Sequence, residues 1–503
     1  MANKFVCIHG HFYQPPRENP WTGRIDRQRS AAPDHDWNCR IARECYVPNG
    51  KARVEGGGRR TLAVVNNYAH LSFNFGPTLL SWLERERPET YRKLLEADQD
   101  SARRLGGHGN AIAQAYNHMI LPLANARDRR TQVLWGIADF EYRFRRKPEA
   151  LWLPETACND AVLRLLADCG MKYVILAPGQ AQRARPLASS AWRSVADGRI
   201  DVRRPYLWRD RRSPSRRIAV FFYDGPLSHG VSFGRLMSSS KACADRIAEA
   251  FDHHGRAEPL VTICTDGETY GHHEKFADLG LAHLFQFELP ARQIAAVNFG
   301  FYLSRQQPEW EVELKAGPQG LGTAWSCAHG LGRWLEDCGC GREGGSSQRW
   351  RGPLRQALDW LRDGLAVLCA EEGSRLLRDL WEARDDYIRL VLDPREHEAE
   401  LFFARHLRAS HSPAACAAAL RLMEIQRHAM LMYTSCGWFF SELSGIEAVQ
   451  NLKYAARAIE LAREQSGRNL EPEFLARLRL APSNDPGLAD GAGVYRRLVR
   501  RPR

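Results

Sequence analysis

L-V-T-I-C-T-D-G-E-T-Y-G-H-H, residues 260–273, decides how this chain is read. The apolar run Leu260–Cys264 stops at a polar cluster holding Asp266, Glu268, His272 and His273. A short apolar run bounded by Gly and acids predicts a buried strand. Acids just past such a strand stand where α/β barrels keep their chemistry. Other strand candidates are Phe5–Ile8, Leu62–Val65, Leu151–Leu153, Tyr173–Leu176 and Ile218–Phe222. Helical patterns lie between them, at Thr78–Leu95, Asp128–Arg145, Asp160–Cys169, Leu236–His253 and Ala277–Leu289. This alternation predicts an α/β fold with a mainly parallel sheet, closed or nearly closed into a barrel.

Beyond residue 305 the strand signal fades. Leu354–Leu368, Ser374–Arg389, Pro394–Ser410, Ala414–Met432 and Ile446–Gln465 carry apolar residues at helical spacing, which predicts a bundle. Gly317–Gly322 and Gly339–Ser347 read as linkers. The expected organisation is a barrel over 1–305, a helical domain over 306–482 and a basic tail over 483–503 that frays.

Bulk properties bound the function. The 503 residues are 44% hydrophobic and 26% charged, ordinary for a globular protein. The net charge is +12 and only nine cations are lysine. Arginine is spread along the chain, with small knots at Arg127–Arg130, Arg143–Lys147 and Arg209–Arg217. A nucleic-acid footprint would be concentrated on one face or run, so a nucleic-acid partner is not expected. The 13 cysteines are scattered, and Cys7 and Cys264 sit in apolar runs, which argues against a secreted disulfide scaffold. The N-terminus is too short in apolar residues for a signal-peptide core, and no stretch suits a membrane helix. A cytoplasmic protein is expected; its oligomeric state is not legible.

Polar residues follow the strand candidates: His9, His11 and Gln14-Pro15-Pro16 after Phe5–Ile8, Pro154-Glu155 after Leu151–Leu153, and Asp266-Gly267-Glu268 after Leu260–Cys264. Strand ends of a barrel converge, so Glu155 and Asp266 can flank one bond, as glycosidic cleavage requires. H-G-H-F-Y-Q-P-P at 9–16, G-H-G-N-A-I-A-Q-A-Y-N-H-M-I-L-P-L at 107–123, L-W-L-P-E-T-A at 151–157 and D-G-E-T-Y-G-H-H at 266–273 together resemble, in order, the motifs of glycoside hydrolase family 57. A-W-S-C-A-H-G-L-G-R-W at 324–334, M-L-M-Y-T-S-C-G-W-F-F at 430–440 and N-L-K-Y-A-A-R-A at 451–458 resemble a branch with an additional C-terminal helical domain. Phe12-Tyr13, between His11 and Gln14, departs from the family pattern.

The resemblance implies a distorted seven-stranded barrel and a helical domain closing over the active site. It implies a retaining hydrolase or transglycosylase on α-linked glucans, working without a cofactor, with Glu155 as nucleophile and Asp266 as acid/base. The substrate would be an oligo- or polysaccharide. Candidate sugar contacts are His9, His11, Gln14, His108, Glu268, Tyr270, Trp325, His329 and Trp334. Cys327, His329, Cys338 and Cys340 have donor types that suit zinc, but their spacing is not that of a usual finger, and no metal site is assigned. Two alternatives stay open. One is a metal-dependent, deacetylase-like hydrolase using His9, His11, Asp266, His272 and His273. The other is a non-catalytic glycan-binding protein on the same scaffold.

Overall fold

The computed structural model describes residues 4–55, 61–251, 258–340, 345–408 and 412–499. The ends of the helices expected at Leu236–His253 and Pro394–Ser410, the middle of the Gly339–Ser347 linker and the last four residues lie outside these. The chain forms two compact units. One comprises Met1–Gln14, Arg27–Gln114 and Arg143–Lys315; the other comprises Pro15–Asp26, Ala115–Tyr142 and Ala316–Arg503.

The first unit is a (β/α) barrel whose parallel strands include β1 (Lys4–Phe12), β2 (Ser72–Phe75), β3 (Ala113–Gln114), β4 (Leu151–Trp152), β5 (Tyr173–Leu176), β6 (Ser213–Phe222) and β7 (Leu260–Asp266); Ile294–Ala296 also pairs in parallel with the start of β1. β1 pairs in parallel with β7, His11 opposite Asp266, and with β2, His11 opposite Asn74. Phe73 bridges to Ala111, just before β3; β3 pairs with β4; Ala150 bridges to Tyr173; β5 pairs with β6. The end of β6 meets β7 through Asp224 N–H donating to Thr262 O at 2.8 Å and Thr262 Oγ1 donating to Phe222 O at 3.1 Å. β1 and β7 are buried almost throughout, as parallel strands covered on both faces must be. Helices start soon after strand ends. Asn159 caps Asp160–Asp168 and Asp224 caps Gly225–Ser232, each cap worth about 1 kcal/mol.

Several expected elements are corrected. Leu62–Val65 is not a barrel strand: it forms an antiparallel hairpin with Ala52–Glu55, leaving Leu62 55% and Val64 63% exposed. The strand at that place in the barrel is β2, S-F-N-F, whose polar residues a core strand would not show. The helix expected at Thr78–Leu95 breaks into Pro77–Glu86 and Pro88–Arg104, because Pro88 cannot continue the first. A second sheet extends from β6 through Tyr206–Asp210, Trp310–Leu314, Ala181–Pro186 and Arg193–Ser194. Its arginines are paired across strands, Arg183 with Glu313 and Arg185 with Glu311, and both stack on Trp192.

The second unit is mainly helical. Arg351–Leu376, Pro413–Leu431 and Ile446–Ser466 pack on one another. Leu354, Leu358, Leu361, Leu365 and Leu368 recur at three- and four-residue spacing and are all buried. Gly467, at φ 75°, ends the last of these helices, its N–H on Arg463 O. Arg384 reaches Asp128 at 2.7 Å and Thr131 at 2.7 Å, a buried pair joining two segments distant in sequence. Within the stretch from 483, Gly491–Val494 and Tyr495–Val499 are helical, and Tyr495 Oη donates to Glu471 at 3.2 Å. No helix among the described residues is long and apolar enough to cross a membrane.

Candidate active site

Glu155 follows β4 on a tight turn. Its φ is 58° and that of Thr156 is 51°, left-handed values that each cost an L-residue of order 1–2 kcal/mol. The turn is held from outside. Thr156 Oγ1 donates to Gln180 Oε1 at 2.9 Å, and Gln180 Nε2 donates to Thr156 O at 2.9 Å. Ala177 N–H fixes the same amide oxygen at 2.9 Å. Three buried hydrogen bonds, each worth about 1 kcal/mol net, match the strain they hold. Gln180, just after β5, thus holds the backbone turn that carries Glu155.

Asp266 ends β7 and is the strand's first residue with substantial accessible surface. Its carboxyl is pushed up to about 7, by desolvation first and by the charge of Glu155 second. Exposure and desolvation coexist where a carboxyl faces a recess: water reaches it but cannot surround it. Glu268, only 5% exposed, is pushed up to about 8 by burial, helped by the charge of Asp266. Its Oε1 accepts from Tyr46 Oη at 2.5 Å and from Tyr13 N–H at 3.0 Å. Gly267 between the acids is there because of Phe12: a Cβ would lie 2.3 Å from the Phe12 ring. The residues Phe12-Tyr13 that depart from the family pattern therefore lock the end of β1 onto the Asp-Gly-Glu turn.

His9 and His11 line the end of β1. His9 Nδ1 is 3.0 Å from Ser72 Oγ and Nε2 is 3.0 Å from Asn74 Oδ1. Both its ring nitrogens are used, so His9 is a wall residue with no nitrogen left for a sugar. Burial lowers both histidines to about 3, so both are neutral. Asn74 Nδ2 donates to His11 Nδ1 at 2.9 Å and to Gln114 Oε1 at 2.7 Å. With Asn74 in that orientation, His11 carries its proton on Nε2. Trp152 stacks on His9 at 4.7 Å and on His11 at 5.1 Å, and Tyr13 stacks on His11 at 5.7 Å. Tyr223, following β6, lies near enough to Asp266 to feel its charge. Every barrel strand end thus supplies a side chain. Asn74, Gln114, Trp152, Gln180 and Tyr223 were not singled out in the sequence, where an amide or ring after a short strand carries no mark.

The other expected contacts fall elsewhere. Gln14 turns back to donate to Tyr13 O at 3.0 Å. His108 precedes β3 and pairs with Glu149, which precedes β4, at 2.9 Å. Residues preceding parallel strands sit at the opposite end from those following, so His108 is not with Glu155 and Asp266. It lines a separate pocket of 530 Å³ with Glu149, Lys172, Arg209 and Arg217. Tyr270 is 0% exposed, accepts from Thr265 Oγ1 at 3.2 Å and offers no face to a sugar. Trp325, His329 and Trp334 belong to the second unit. Trp334 is 0% exposed there and donates to Ser435 O at 3.2 Å, so it is a packing residue. Trp325 is half-buried, and His329 lies against Cys340.

The metal-dependent alternative needs His9, His11, Asp266, His272 and His273 to converge. His9 is committed to Ser72 and Asn74, and His272 Nδ1 is 2.6 Å from Glu44. Among the described residues these side chains form no group at ligand distance; Cys327, His329, Cys338 and Cys340 do.

The model of glycosyl hydrolase family 57 matches residues 47–297, a stretch containing both Glu155 and Asp266. A domain of unknown function, DUF3536, matches residues 347–503. No curated protein matches the chain. An exo-type maltose-forming amylase from a Pyrococcus species is 15% identical with a TM-score of 0.68, covering 94% of this chain and 82% of that one. A branching enzyme from Pyrococcus horikoshii is 14% identical with a TM-score of 0.54, covering 95% and 89%. The alpha-amylase AmyC from Thermotoga maritima is 12% identical with a TM-score of 0.54, covering 99% of both chains. At these identities the likeness is one of fold. Through its barrel, the chain belongs to glycosyl hydrolase family 57, with a DUF3536 domain after it.

Proposed function

We propose that the chain is a retaining glycoside hydrolase or transglycosylase acting on α-linked glucans, with Glu155 as nucleophile and Asp266 as acid/base. One observation carries this reading: two carboxyl groups from different strand ends are close enough for Glu155 to raise the proton affinity of Asp266. A proton donor needs its proton at neutral pH, and burial beside a like charge supplies that.

The steps follow. Asp266 gives its proton to the glycosidic oxygen as that bond to C1 breaks. Glu155 forms the new bond to C1, giving a glycosyl ester. Esterified Glu155 is uncharged, so one of the two causes holding the Asp266 proton disappears. Asp266 is then a carboxylate able to take a proton from water or a sugar hydroxyl, which attacks C1 and releases Glu155. His11 stands opposite Asp266 in the β1–β7 register. The substrate class follows the family and the amylases and branching enzyme that share its fold.

The test is Glu155→Ala assayed on maltooligosaccharides, with and without azide. Lost hydrolysis, restored by azide as a glycosyl azide of inverted configuration, is expected. Undiminished activity in the variant would refute the assignment.

A further inference from the structure

Between Ala316 and Arg351 the second unit has little regular structure among the described residues: two single helical turns, Pro318–Gly320 and Gly332–Trp334. Four soft ligands converge within it. Cys327 Sγ lies 4.0 Å from Cys338 Sγ and 3.9 Å from Cys340 Sγ, and Cys340 Sγ lies 3.4 Å from His329 Nδ1. All four donor atoms fall within 4.8 Å of one another. We propose that Cys327, His329, Cys338 and Cys340 form a structural zinc site.

These three distances match the edges of a zinc tetrahedron. Zinc–sulfur bonds of about 2.3 Å and zinc–nitrogen bonds of about 2.0–2.1 Å give sulfur–sulfur edges near 3.8 Å and sulfur–nitrogen edges near 3.6 Å. A disulfide would need sulfurs about 2.05 Å apart, and none is formed. The backbone is shaped for convergence. Gly339, at φ 82°, has nothing within 4 Å of a Cβ position, so its role is the left-handed turn that brings Cys340 back beside Cys338. Gly332 lets Cys338 pass: a Cβ there would be 2.9 Å from the Cys338 Cβ. Backbone N–H groups of His329 and Arg333 are directed at the Cys327 sulfur, and that of Ala328 at Cys340, as thiolate ligands require.

A second observation is independent of the ligands. Arg351 is 0% exposed and makes no ion pair among the described residues. It donates to Gln348 Oε1 at 2.7 Å and reaches the carbonyls of Cys340, Phe439 and Phe440 at 3.4–3.5 Å. Arg333 lies near enough to repel it, and Cys338, Asp337 and Cys327 lie near enough to attract it when charged. A buried guanidinium needs a counter-charge. Zn²⁺ with three thiolates and a neutral imidazole carries one net negative charge, which Arg351 faces. The bound ion would cross-link 327–329 to 338–340 in a segment with little regular structure. His329 is then a metal ligand rather than a sugar contact.

The full chain, purified without chelator, should contain about one zinc per molecule by mass spectrometry of the metal. Cobalt(II) exchanged into it should show the ligand-field absorption of tetrahedral cobalt–thiolate. Cys338→Ser/Cys340→Ser should lose both signals, whereas His329→Cys, which keeps four soft donors, should retain them. A folded wild-type chain with reduced thiols that carries no metal and takes up no cobalt would overturn the proposal. So would a disulfide among these cysteines, or metal retained unchanged by the double variant.

Discussion

Replacing Glu268 by Gln should make the protein more stable, and only above mildly acidic pH. Folded Glu268 keeps its proton to about pH 8, whereas an ordinary glutamate gives it up near 4.5. Between these values the folded state binds more protons than the unfolded state, so stability falls as pH rises through the interval. Below about 4.5 both states are protonated and the site contributes nothing to the slope. At about 1.36 kcal/mol for each tenfold in the protonation equilibrium, the interval is worth at most about 5 kcal/mol. Part of it belongs to the neighbouring charge of Asp266, so roughly 2–4 kcal/mol is the expected gain at pH 9. Gln resembles the neutral acid and keeps an oxygen for Tyr46 Oη and Tyr13 N–H. Urea unfolding of both proteins from pH 4.5 to 9 should give curves that coincide at the acid end, diverge as pH rises and run parallel above about pH 8. A difference that is constant with pH, or that grows towards acid, would refute the reasoning.

Three further outcomes follow from the site. The alkaline limb of kcat/KM should fall with an apparent pKa near 7, because Asp266 must hold its proton; Asp266→Asn should abolish the limb together with the activity. Gln180→Leu removes three hydrogen bonds from the left-handed Glu155–Thr156 turn. It should cost about 1–3 kcal/mol of stability and lower kcat far more than it raises KM, with Gln180→Glu restoring part of kcat. Gly267→Ala places a methyl 2.3 Å from the Phe12 ring; thermal denaturation should show a loss of about 1–3 kcal/mol, partly recovered by adding Phe12→Leu.

The legible parts of this chain were those where burial leaves a compositional trace. Tyr173–Leu176 and Leu260–Cys264 are apolar on both faces and stand as strands where expected. Ala113–Gln114 is too short to show a period, and Ser72–Phe75 carries Asn74 because its inward face is polar. Glu155 and Asp266 stood out because each acid follows an apolar run. His108 pairs with Glu149 ahead of the strands, a placement the motif does not reveal because it fixes neighbours in sequence, not the strand end on which they emerge. Tyr270 and Trp334 are buried, and an aromatic in a functional motif looks the same in sequence whether it faces ligand or core. Gln180 and Asn74 carry no sequence signal; only the left-handed turn and the paired histidines reveal their use.

A retaining mechanism requires Glu155 to form a covalent bond to the sugar. A slow-turnover fluorinated α-glucosyl fluoride should leave one hexosyl adduct per chain. Peptide mass spectrometry should find it on Glu155. An adduct on another residue, or sustained turnover to the inverted anomer with no adduct at all, would contradict it.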